Sequence, residues 1–142
     1  FSPEAQADEI DQRCTSEWGS NYEMVAYCTK NQRQAKREIA AHSGIIRTNC
    51  ENEWGTNYEM VIYCIRNQTN AKSNLKNGPK DHITQNCKSE WGNNFEMVEY
   101  CVNNQRSAKR TIETSYSNSS KRRACEREWG KNYEMILYCI RQ

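Results

Sequence analysis

The stretch Cys50-Glu51-Asn52-Glu53-Trp54-Gly55-Thr56-Asn57-Tyr58-Glu59-Met60-Val61-Ile62-Tyr63-Cys64 is one of four copies of a single pattern. Written as Cys-x-x-Glu-Trp-Gly-x-Asn-(Tyr/Phe)-Glu-Met-(Val/Ile)-x-Tyr-Cys, it recurs at Cys14 to Cys28, Cys87 to Cys101 and Cys125 to Cys139. All eight cysteines, all four tryptophans and all four methionines of the 142 residues lie inside these copies. The copies start 36, 37 and 38 residues apart, a period of helical-pair repeats and too short for independent globular domains.

The punctuation of the motif places a bend at its centre. Gly19, Gly55, Gly92 and Gly130 follow a tryptophan where a helix C-cap with positive φ is wanted. Two residues on, Asn21, Asn57, Asn94 and Asn132 are natural N-caps, and Glu23, Glu59, Glu96 and Glu134 then occupy the first turn, where the helix dipole favours a carboxylate. Ser20 with Glu23 and Thr56 with Glu59 also fit a capping box, which would move the cap by one residue. In either register the motif is a tight helical hairpin.

Working outward, Ile10, Cys14 and Trp18 recur every four residues, as do Ile46, Cys50 and Trp54, and Ile83, Cys87 and Trp91. That spacing is one face of a short helix. Downstream, Met24, Cys28, Gln32, Ala35 and Ile39 form a longer stripe, repeated by Met60, Cys64, Gln68, Ala71 and Leu75 and by Met97, Cys101, Gln105, Ala108 and Ile112. A second helix of ~18 to 20 residues follows, ending at the breakers His42-Ser43-Gly44, Asn77-Gly78-Pro79 and Ser115 to Ser120.

In each copy the first cysteine lies five residues before the glycine and the second nine after it, so two antiparallel helices bring them to similar heights on facing surfaces. The expected bridges are Cys14 with Cys28, Cys50 with Cys64, Cys87 with Cys101, and Cys125 with Cys139. Each closes a loop of about fifteen residues and contributes on the order of 3 kcal/mol in the chain-entropy model. These staples offset a lean core, since only 36% of the chain is hydrophobic and 27% is charged. The fold expected is all-α: four tandem disulfide-pinned helical hairpins stacked as a short α-solenoid-like array over residues 1–142. The repeats span 4–41, 45–76, 80–114 and 120–142. The last ends just after its second cysteine and has Lys121 in place of the upstream isoleucine, which suits a polar C-terminal cap.

Disulfides imply an oxidising compartment, and Phe1 in place of an initiator Met is what removal of a signal peptide would leave. A secreted or periplasmic location is expected, with no transmembrane segment, since no apolar run approaches ~18 residues. Twenty basic and eighteen acidic residues are interspersed along the chain, an unsuitable pattern for a nucleic-acid partner. The densest basic cluster is Lys121-Arg122-Arg123 with Arg127 and Lys131, read as a solvated helix face.

Catalytic chemistry finds no constellation. His42 and His82 lie at non-equivalent places, and no phosphate loop, nucleophile elbow or haem-attachment site is present. No enzyme activity, cofactor or metal is expected: each methionine stands one turn before a cysteine that is oxidised and so offers no thiolate. Two roles remain open for Glu17-Trp18, Glu53-Trp54, Glu90-Trp91 and Glu128-Trp129 with Tyr22, Tyr58, Phe95 and Tyr133. They form either a lid over each disulfide, with the glutamate in a local hydrogen bond, or the lining of sugar or peptide pockets. The amides of Asn31-Gln32, Asn67-Gln68 and Asn104-Gln105 fall where an apolar stripe would continue, which calls for hydrogen bonds between repeats or to a ligand.

Specificity should come from positions that vary between copies, namely Ala26, Ile62, Glu99 and Leu137. They lie about 200° round the helix from the second cysteine, facing a neighbour or a partner, so Ile62 and Leu137 are expected partner contacts. The function expected is a protein-protein interaction scaffold or accessory subunit of an extracytoplasmic complex, associating with another protein or with itself. The alternative is a binder of small ligands or glycans through the Glu-Trp and Tyr positions.

Overall fold

The structure, a computed structural model, describes residues 7–142; residues 4–6 of the expected first repeat, and Phe1, lie outside the described residues. Among the described residues there are eight helices and no strand: α1 (Glu9–Trp18), α2 (Tyr22–Ile39), α3 (Ile45–Trp54), α4 (Tyr58–Asn77), α5 (His82–Trp91), α6 (Phe95–Ser115), α7 (Arg122–Trp129) and α8 (Tyr133–Ile140). They pair as four hairpins: in the first three a helix of 10 residues precedes one of 18 to 21, and in the fourth both helices have eight. The chain divides into two compact units, Phe1–Thr69 and Asn70–Gln142, the division falling inside α4.

All four expected disulfides are formed, each joining Cα atoms 5.6 to 5.8 Å apart. The four motif glycines end the short helices with φ of 56 to 62° and ψ of −108 to −119°. The positive φ is as expected, but that ψ lies outside the left-handed helical region, in space that only glycine enters readily. A Cβ at these positions would meet nothing within 4 Å, so backbone conformation, not crowding, demands the glycine. Three residues then reverse the chain, and the N-cap is the asparagine, not Ser20 or Thr56. The side-chain oxygens of Asn21, Asn57, Asn94 and Asn132 accept from the backbone N–H of Met24, Met60, Met97 and Met135 at 3.3 to 3.4 Å.

In the first unit the second hairpin is held to the first by the buried Gln32. Its Oε1 accepts the Tyr58 N–H at 2.8 Å and its Nε2 donates to Asn57 Oδ1 at 3.1 Å. Tyr58 is the first residue of α4, whose N–H has no partner within its own helix, so a side chain of one repeat completes the helix start of the next. The second unit repeats the device: Gln105 accepts from Tyr133 N–H at 2.7 Å and donates to Asn132 Oδ1 at 3.0 Å. The expected repeat-to-repeat hydrogen bonding is therefore present at Gln32 and Gln105, and in these two pairs it is the glutamine that makes it.

The aromatic residue of the motif reaches back in the same direction. Tyr58 Oη donates to Glu9 Oε1 at 2.8 Å, and Lys36 Nζ lies 5.3 Å from the Tyr58 ring centre. Tyr133 Oη lies 2.9 Å from His82 Nε2, with Lys109 Nζ 5.6 Å from its ring. Phe95 packs on the Leu75, Ile83, Cys87, Val98 and Val102 cluster, with Lys72 Nζ 5.5 Å from its ring.

The position of Ile62 corrects an expectation. Ile62 is 4% exposed and packs with Ala35, Ile39, Cys50 and Ile65, so it is core and cannot serve as an external contact. The face 200° from the disulfide seam is the one that meets the preceding long helix. Leu137 is half-buried against the cluster of Ile112 and Ile136 and also lines a surface groove with Glu134, Tyr138 and Arg141. Glu99 at the same position accepts from Asn74 Nδ2 at 2.8 Å, and Ala26, in the first copy, is exposed.

Within the first and third hairpins an arginine of the long helix ties down the N-cap of the short one. Arg33 meets Asp8 at 2.7 Å and Asp11 at 2.9 Å, and Arg106 meets Asp81 at 2.7 Å. The second copy has Gly44 and Thr69 at the two equivalent positions, so both partners are absent together. The Arg33 guanidinium and the Asp11 N–H hold the Asp8 carboxyl at about 2, and Arg106 holds that of Asp81 well below the usual carboxylate range.

A carboxyl with a lower pKa folded than unfolded contributes stability that is complete above its unfolded value of about 4 and is lost as pH falls through the folded value. The melting temperature should therefore drop as the pH falls from about 4 to about 2, and Asp8→Asn with Asp81→Asn should flatten that part of the profile. An equally steep profile in the double variant would show that other carboxylates control it. Separately, Gln32→Ala strands the half-buried Tyr58 N–H and should cost about 1 to 3 kcal/mol in urea unfolding. Gln34→Ala, on the exposed face of the same helix, should stay within about 0.5 kcal/mol, and equal losses would contradict the role given to Gln32.

Candidate functional site

The twelve positions singled out for ligand binding separate into two groups. Tyr58, Phe95 and Tyr133 are half-buried between hairpins in the contacts above, which gives them a role in the fold. Tyr22, in the first copy, is 79% exposed. The remaining eight lie at the surface: Trp18, Trp54, Trp91 and Trp129 are each 37 to 38% exposed, and Glu17, Glu53, Glu90 and Glu128 are exposed beside them. Among the described residues none of these glutamates has a hydrogen bond or ion pair, and no indole N–H has a partner.

A third repeated position belongs with them. Tyr27, Tyr63, Tyr100 and Tyr138, the residue before each second cysteine, are 57 to 63% exposed, and their hydroxyls have no partner among the described residues. Sequence reasoning registered this tyrosine only as part of the motif. The signal was available: it lies off the stripe of Met24, Cys28 and Gln32, yet it is a tyrosine in all four copies. An aromatic repeated off the buried stripe has no packing reason to recur.

In the first unit these groups converge. A groove of about 260 Å³ is lined by Glu17, Trp18, Met24 and Tyr27 of the first hairpin and by Asn57, Glu59 and Met60 of the second, over a floor of Cys28 and Gln32. The structure thus brings Glu17 and Trp18 together with Tyr27. In the second unit the corresponding groove is about 170 Å³; Glu90 lines it with Asn86 and Gln105, while the fourth hairpin supplies Lys131 and Asn132. Trp91 and Tyr100 do not line it. Glu53, Trp54, Glu128 and Trp129 line neither groove.

Charge separates the units as well. Residues 1–69 hold ten acidic and seven basic residues, and residues 70–142 hold eight and thirteen, giving formal charges of −3 and +5. The interspersion seen along the chain therefore conceals an imbalance between its halves. Within the second unit, Arg122 pairs with Glu126 while Arg123 and Arg127 stand exposed.

Every cysteine sulfur is in a disulfide, so none is a thiolate. Among the described residues no three of His, Cys, Asp and Glu gather where they could hold a metal ion, and no described helix is long and apolar enough to cross a membrane. Comparison of the chain with protein-family models, with curated proteins and with solved structures finds no match.

The glutamate beside each tryptophan gives the indole an anionic surrounding although the whole chain carries +2. Relative to the quenching of free N-acetyltryptophanamide by the same ion, quenching of native tryptophan fluorescence should therefore be more effective with caesium than with iodide at equal ionic strength, because local charge concentrates the counter-ion. Replacing the four glutamates by glutamine should remove that preference. On that normalised scale, more effective quenching by iodide in the wild type would mean that the net charge, not the neighbouring carboxylate, governs the tryptophan surface.

Proposed function

We propose that this chain is a non-enzymatic binding protein of an oxidising, extracytoplasmic compartment, secreted or periplasmic, that presents a repeated aromatic and acidic surface to another protein. The observation that carries the reading is the recurrence of an exposed, unpartnered tyrosine at Tyr27, Tyr63, Tyr100 and Tyr138. Burial explains why Cys14, Ile83 or Val98 stand where they do. It gives no reason for a tyrosine in water four times over. Tyrosine and tryptophan supply large contact area at low conformational cost and are enriched at the centres of protein interfaces. Four disulfides suit a compartment in which thiols oxidise.

A binder of small ligands or glycans is the second reading, favoured by the meeting of Glu17, Trp18 and Tyr27 in one groove. The recurrence of the exposed tyrosine in all four copies, against a groove that joins these groups only at the first junction, favours the first.

The test is to replace the four tyrosines together by alanine. Helicity and melting should change little, because surface substitutions outside special features usually stay within about 0.5 kcal/mol each. Capture of native partners by gentle purification should be lost. Partner capture undiminished in a folded quadruple variant would remove the reading, and collapse of the fold would return the tyrosines to a structural role.

A further inference from the structure

We infer that the groove between the first two hairpins is a receptor for an arginine side chain of the partner protein, an inference that rests on the protein-binding reading above. The lining supplies two carboxylates, Glu17 and Glu59, two aromatic rings, Trp18 and Tyr27, and two thioethers, Met24 and Met60. Among the described residues neither carboxylate has a cationic partner. Arg13, one turn before Glu17, donates instead to Thr56 Oγ1 at 3.2 Å and does not line the groove.

Each component narrows the occupant. Aromatic faces and a unit charge of −3 favour a cation. Two carboxylates are acceptors that need N–H donors, which a quaternary ammonium lacks and a guanidinium has in a planar fork. A guanidinium also stacks on an indole and is more weakly hydrated than an ammonium, so arginine is preferred to lysine. Methionines adapt their shape to the stem that enters. The fold already places lysine amines over the rings of Tyr58, Phe95 and Tyr133, whereas Trp18 and Tyr27 have no cation over them among the described residues. The corresponding groove of the second unit carries Lys131 in its own lining, and this assignment does not extend to it.

The probe is the peptide acetyl-Gly-Arg-Gly-amide, titrated into the full chain and followed by the Trp18 indole N–H resonance. Lysine and glutamine versions of the peptide, and tetramethylammonium ion, serve as comparisons. The arginine peptide should shift Trp18 saturably, the lysine peptide more weakly, and the other two not at all. Glu17→Gln with Glu59→Gln should weaken binding about tenfold without altering helicity, and Glu113→Gln, at an exposed position of α6 away from either groove, should leave binding unchanged. No saturable shift, an equal response to the glutamine peptide or to tetramethylammonium, or binding indifferent to the Glu17 and Glu59 changes would overturn the inference. A concentration-dependent Trp18 shift without peptide, abolished by Arg123→Ala with Arg127→Ala, would make a second copy of this chain the occupant and overturn the choice of another protein. Because Trp18 is read directly, a silent groove in a chain whose tyrosine variants do release a partner sinks only this inference. A responsive groove with tyrosine variants that retain the partner sinks the tyrosine reading.

Discussion

A single amide group governs how one hairpin meets the next. Gln32 is buried on the stripe where its own helix faces its neighbour, and both ends of its side chain are used, one on the Tyr58 N–H and the other on Asn57 Oδ1. An unpaired amide there would carry a desolvation cost, so the partner hairpin can sit only where both bonds close. The same geometry recurs at Gln105 within the second unit. The motif asparagine thereby has two duties, capping its own helix and receiving the preceding glutamine. The adjoining tyrosine then reaches back to Glu9 or to His82. A disulfide makes a hairpin, and the glutamine makes a pair of hairpins.

The division of labour inside the motif follows from this docking. Six of the eight cysteines, with Val61, Val98 and Ile136, are buried, and Cys101 and Cys139 are half-buried, while the asparagine and the following aromatic are spent on the junction. What remains repeated but without a bond is the glutamate-tryptophan pair and the tyrosine before the second cysteine. Water leaves these groups available to a partner. At the first junction, Glu59 and Met60 of the second hairpin complete a recess begun by Glu17, Trp18 and Tyr27. No one hairpin contains that recess.

Electrostatics differentiates copies that the motif makes alike. Asp8 with Arg33, and Asp81 with Arg106, close the first and third hairpins, and the second copy lacks both members. Loss of one partner alone would leave a charge without its counter-ion, and the joint absence avoids it. The charges of −3 and +5 on the two units give each a different attraction for charged partners, although their hairpins share one design.

The sequence by itself determined the hairpin. A fixed cysteine spacing, a glycine after each tryptophan and an asparagine two residues later are local constraints, and local constraints can be read from the chain because their partners lie within a few residues or one helical turn. Even the polar interruption at Gln32 and Gln105 was legible as a bond awaiting a partner, since a polar residue on an apolar stripe has to be satisfied. Which face of the long helix a neighbour covers was not legible. Helical periodicity gives the angle of Ile62 relative to Cys64 but not what stands opposite, and only docking against Ala35 and Ile39 makes Ile62 core. For the same reason Tyr58 and Tyr133 belong to junctions while Tyr27 and its three counterparts remain in water. Exposure is decided by what packs across a face, and tertiary structure alone supplies the other side.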